Sequence, residues 1–188
     1  MRIKISIVAG ILFSFLIATT GWANGPANAY EVRISKLELW NGSSWVTVFE
    51  GTSTAIDIAS VSSGAAAGQF LSGLSVPDGT YTQSRVTPSQ VFKIKGNDGS
   101  RYTIATNGSN GGCQYTANSA LEAACTVTIS DPISPDVTTF SSPITMQNGV
   151  ASHKIRVSFD TSSAVQYNSL ADEIFPATPT VTVTVIAL

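Results

Sequence analysis

From Thr180 to Leu188 the chain alternates threonine with valine through Val181, Val183 and Val185. A period of two sends successive side chains to opposite faces, as only an extended strand does. The same alternation recurs upstream, in Tyr30–Val32–Ile34, Ile56–Ile58 and Ile155–Val157–Phe159. Between such runs lie Asn41-Gly42, Pro77-Asp78-Gly79, Gly96-Asn97-Asp98-Gly99 and Asn148-Gly149, residues that accept the positive or preset φ a tight turn needs. Convincing helical periodicity is almost absent, and strands do not alternate with helices, so a parallel α/β sheet is disfavoured.

Expected strands run from Tyr30 to Leu39 and from Trp45 to Glu50, with a slip of phase near Ser35-Lys36 that reads as a bulge. Others cover Thr54–Ala59, Phe70–Val76, Thr80–Val86, Gln90–Lys95 and Arg101–Thr106. The remaining ones are Ala124–Ile129, Val137–Met146, Val150–Asp160 and Thr180–Leu188. Val61–Gln69 is rich in small residues and reads as a loop or short helical turn. Asp160–Glu173 is polar, with room for a helical turn. The expectation is an all-β chain: a single antiparallel β-sandwich of about ten strands over residues 30–188. A transmembrane barrel fits less well, because its strands run about 9–11 residues and prolines cut several runs here.

Residues 1–29 read as a signal peptide. Arg2 and Lys4 precede an apolar run from Ile5 to Ala18, too short for a span of about 20 residues. Small residues permit cleavage after Gly21-Trp22-Ala23 or after Ala27-Asn28-Ala29; the second begins the mature chain at its first expected strand. An uncleaved anchor is the rival reading. The expected localisation is periplasmic or extracellular, with no membrane span after cleavage. The 188 residues carry 10 basic and 12 acidic side chains and are 12% charged. Such a chain has no basic face for nucleic acid and little long-range steering toward charged partners. Its 43% hydrophobic content argues against disorder. In an exported chain the two cysteines, Cys113 and Cys125, are expected to form one disulfide, contributing about 2–3 kcal/mol by closing a short loop.

Several segments carry a resemblance. Asp57-Ile58-Ala59-Ser60-Val61-Ser62-Ser63-Gly64-Ala65-Ala66-Ala67-Gly68, Phe92-Lys93-Ile94-Lys95-Gly96, Val157-Ser158-Phe159-Asp160-Thr161 and Phe175-Pro176 before Pro179-Thr180-Val181-Thr182-Val183 are among them. Together with Gly79-Thr80-Tyr81-Thr82-Gln83-Ser84-Arg85-Val86-Thr87, they resemble a group of small uncharacterised exported proteins of Gram-negative bacteria. The Gly-Thr-Tyr-Thr stretch is also similar to prealbumin-like bacterial surface domains. These resemblances imply a secreted β protein and supply no catalytic residue.

Chemistry-bearing residues are sparse. His153, the single histidine, sits in an expected strand; it reads as an ordinary strand residue rather than a general base. Asp131, Asp136, Asp160, Asp172 and Glu173 would bind calcium only if they met at one end of the sandwich, and no EF-hand spacing is present. No residue set points to a cofactor. Trp40, Trp45 and Tyr81 form a possible ligand platform for sugar, although packing of the two indoles across the Asn41-Gly42 hairpin is equally natural. Arg85 reads as a paired or exposed cation. Thr180–Leu188 is expected in the middle of a sheet; at an edge it would invite self-association by pairing with another chain. The expected function is a non-catalytic secreted or periplasmic role in binding or cell-surface structure. A carbohydrate-binding module and a small secreted hydrolase are the alternatives.

Overall fold

The computed structural model describes residues 22–60 and 75–188. Expectations for the leader core and for Val61–Gln69, and most of the Phe70–Val76 strand, fall outside them. Among the described residues the architecture is all-β, in several packed antiparallel sheets of sandwich type. The first sheet joins β1 (Trp22–Gly25), β14 (Val165–Asn168), β15 (Glu173–Pro176), β9 (Cys113–Thr116) and β8 (Tyr102–Asn107), in that order. The second joins β10 (Cys125–Thr128), β7 (Val91–Gly96), β2 (Ala27–Val32) and β5 (Ile56–Asp57). The third joins β12 (Val150–Ala151), β11 (Asp136–Gln147), β6 (Gly79–Pro88), β3 (Ile34–Trp40) and β4 (Trp45–Glu50). The fourth is a two-stranded ribbon of β13 (His153–Asp160) and β16 (Thr180–Ala187).

The apolar interior forms two clusters. The larger draws Tyr30, Ile56, Phe92, Ile94 and Val127 from the second sheet and Val165, Tyr167 and Ile174 from the first. The smaller is Tyr81, Phe140 and Ile144, with Leu39, Val46, Val76 and Val185 packed against it. Val185 therefore ties the ribbon to the third sheet. Cys113 and Cys125 are bridged with Cα atoms 5.9 Å apart, both inside the larger cluster. Since β9 and β10 belong to different sheets, the bond staples the two layers across their core as well as closing a loop.

The phase slip expected near Ser35-Lys36 has a structural cause. The chain leaves the second sheet at Val32 and enters the third at Ile34, and the β3–β6 register shifts between Ile34 and Lys36. A residue that switches sheets exchanges its inner and outer faces, so the alternation restarts. Asn148 and Gly149, with φ of 53° and 78°, close the expected hairpin between β11 and β12. Both positive φ values match a two-residue turn that follows strand twist. In β11, Phe140–Pro143 lie opposite Thr82 alone, so the strand bulges at the proline, which has no N–H to give the ladder.

Three expectations change. Val150–Asp160 is not one strand. Ser152 donates its N–H to Thr145 O and accepts Thr145 N–H on Oγ, ending the hairpin, and the chain leaves to pair β13 with β16. The C-terminal strand is accordingly not central: β13 is its one paired neighbour among the described residues. Asp160–Glu173 contains β14 rather than a helical turn, and β14 pairs with β15, Val165 lying opposite Pro176. Paired strand also begins ahead of Tyr30, at Trp22.

Candidate functional site

On β3, the alternation sends Lys36, Glu38 and Trp40 to one face, and the hairpin register sets Trp40 opposite Trp45. The two rings sit with centroids 5.4 Å apart, tilted by 55°, and both are half-buried. Glu38 lies opposite Arg85 of β6. Although only 5% exposed, Glu38 is fully engaged. Arg85 Nε donates to Oε2 at 2.5 Å and Nη2 to Oε1 at 2.8 Å, while Lys36 Nζ stands 3.4 Å from Oε1. Such a forked pair is directional and strong. The hydrogen bonds from Arg85 hold the Glu38 carboxyl below its ordinary value, against the opposing cost of burial. The Arg85 guanidinium also covers Trp45, 4.5 Å from the ring centroid. The structure thus brings Trp40 and Trp45 together and adds Arg85, Glu38 and Gln83, which lies opposite Trp40. Tyr81 does not join them. It is 2% exposed, in the smaller core, with its hydroxyl donating to Pro77 O.

A second cluster lies on the first sheet. The hydroxyls of Tyr115 and Tyr167 both donate to Asp172 Oδ1, each at 2.7 Å. The rings meet edge to face, and Arg101 lies 3.7 Å from the Tyr167 centroid while pairing with Asp98 Oδ2 at 2.6 Å. The bond to Asp172 pushes the Tyr167 phenol up to about 12, and the two phenols hold Asp172 below its ordinary value. Asp172 has φ of 55°, a left-handed conformation that ordinary side chains seldom adopt. Beside it, Glu173 is buried and accepts from Asn110 N–H and Nδ2 on Oε1, and from Gly112 N–H on Oε2. A Cβ at Gly108 or Gly112 would collide with this carboxylate, so glycine is what lets the loop close over it.

The proposed calcium residues are not gathered. Glu173 holds the Asn107–Gly112 loop, Asp172 holds the two phenols, and Asp160 caps Ser162 N–H. Among the described residues, no three His, Cys, Asp or Glu side chains converge as metal ligands. His153 Nδ1 meets the neighbouring Ser152 Oγ at 2.7 Å, and that oxygen already accepts Thr145 N–H. The arrangement anchors the chain where β12 gives way to β13.

The ribbon presents a surface of another kind. Directly opposite residues share a face. Ile155–Val185, Val157–Val183 and Phe159–Val181 therefore line one side, with the His153–Ala187 pair at its end. Phe159 packs on the larger core and Val185 on the smaller. Between those anchors Ile155, Val157 and Val181 remain 41%, 45% and 37% exposed. The other side carries Lys154, Arg156, Ser158, Asp160, three threonines and, opposite Lys154, Ile186. Alternation in Ile155–Phe159 and Thr180–Leu188 signals this amphipathic ribbon. Nothing in the sequence signals the Glu38–Arg85 or Tyr115–Tyr167–Asp172 meetings, which depend on a register set by bulges. Among the described residues no helix is long and apolar enough to cross a membrane. No protein-family model, curated protein or solved structure matches the chain.

Proposed function

We propose that this chain is a non-catalytic exported protein that works by association, as a binding or structural component in the periplasm or at the cell surface. The observation that carries the reading is the β13–β16 ribbon, whose charge-free side leaves three branched aliphatic residues about two-fifths exposed between two buried anchors. Apolar surface held out on a thin ribbon gains by being covered. The buried disulfide fits an oxidising compartment, and the basic–apolar–small pattern of residues 1–29 fits export. The occupant favoured by these features is a second copy of the same chain. Size-exclusion chromatography and electron microscopy of protein recovered from the periplasm or medium of an expressing Gram-negative host test the reading. Oligomers or filaments support it. A monomer at every soluble concentration contradicts it.

The Trp40–Trp45 pair favours a second reading, a carbohydrate-binding module, because two half-exposed indoles stand beside the hydrogen-bonding side chains of Gln83 and Arg85. Its test is tryptophan fluorescence across a glycan panel. A response lost in Trp40→Ala supports the module, and silence across the panel removes it.

A further inference from the structure

We propose that β13 is a self-recognition edge, pairing antiparallel with β13 of a second copy about a two-fold axis at Val157. The inference rests on the association reading above and deepens it by naming partner and register. Among the described residues, β16 is the one strand paired with β13, and no described strand occupies the opposite backbone edge of β13. An edge of this kind is a template for another chain. The sequence of β13 is complementary to itself when reversed. With the axis at Val157, Lys154 falls opposite Asp160 of the second copy, Ile155 opposite Phe159, Arg156 opposite Ser158, and Val157 opposite itself. Two opposite-charge pairs then form on the polar side, and the apolar residues run continuously across the junction on the other. The result is a four-stranded sheet, β16–β13–β13–β16, in place of two isolated ribbons.

Neighbouring registers are poorer. Moving the axis to Arg156 sets that guanidinium against its own copy, and like charges directly opposite are destabilising. Moving it to Ser158 shortens the overlap and leaves Ile155 and Lys154 beyond the partner strand. An axis midway between residues would turn apolar side chains against the polar face, because opposite residues share a side. The Val157 register alone uses Lys154 through Asp160 without a clash of charge or polarity.

The test is a charge exchange read by sedimentation velocity on the full mature protein. Lys154→Asp and Asp160→Lys, each alone, set like charges opposite one another, and each is expected to weaken self-association about tenfold. An equimolar mixture of the two variants restores opposite charges at both pairs and is expected to recover association. Circular dichroism of each variant checks that it remains folded. Independently, Val157→Cys is expected to give a covalent dimer on mild oxidation, since directly opposite Cβ atoms approach to about 4.5–5.5 Å. Association without rescue in the mixture, or cross-linking by Ser158→Cys instead of Val157→Cys, overturns the register while leaving the association reading intact. Wild-type protein that stays monomeric overturns both.

Discussion

Glu38 is acceptable in its buried position because two cations and a hydroxyl converge on it. Arg85→Met removes the forked partner and keeps much of the contact with Trp45. The expected outcome is a loss of stability, seen as a lower urea midpoint at neutral pH, because the buried Glu38 carboxylate is left without its forked partner. The pH dependence follows from the sign of the shift. The folded-state value of Glu38 is depressed below its ordinary 4.5, so the pair's contribution is complete above that value and fades as pH falls through the lower folded value. Arg85→Met is therefore expected to lose least, relative to wild type, at the acid end. At the second cluster, Tyr167 is held near 12 first by its bond to Asp172. Asp172→Asn removes the charged acceptor, and spectrophotometric titration is expected to show one phenol moving down toward the ordinary 10.0. An unchanged titration curve would mean that Asp172 does not hold the phenol.

At the scale of elements, long alternating runs and turn pairs were legible. β6, β7, β8, β10, β11 and β16 lie within a few residues of their expected positions, and Asn148-Gly149 turns where it should. The elements that escaped are those whose partners, not composition, make them strands. β14 and β15 are four residues each, and Glu173 is buried by a loop folding over it from distant sequence. Three-residue spacing between buried Tyr81 and Ser84 breaks the period within β6, so alternation there cannot tell Tyr81 from a surface residue. The N-terminal elements yield a prediction of their own. Ala27 is buried and donates its N–H to Thr161 O, and Asn28 Nδ2 reaches both oxygens of Glu122. Asn24 and Gly25 pair with Gln166 and Val165. Cleavage after Ala29 would strip these contacts from both sheets, whereas cleavage after Ala23 keeps them. On the export reading proposed above, the expected first residue after cleavage is Asn24, read by N-terminal sequencing or intact mass; Tyr30 would contradict it.

Across the whole molecule, the disulfide and the two apolar clusters fix the layers. The ionisable clusters are engaged within the fold: buried Glu38 in the third sheet, buried Glu173 under the glycine-rich loop, and exposed Asp172 with the two phenols at the turn before β15. The ribbon faces outward with three exposed aliphatic residues on one side, and grips one core through Phe159 and the other through Val185. Val157, in the middle of the ribbon, is in neither buried cluster and is 45% exposed. The most direct measurement is sedimentation velocity of the wild-type mature protein beside Val157→Lys over a range of concentrations. The account predicts wild-type self-association that rises with concentration and a folded, monomeric Val157→Lys. Identical behaviour of the two, whether both monomeric or both associated, would contradict it.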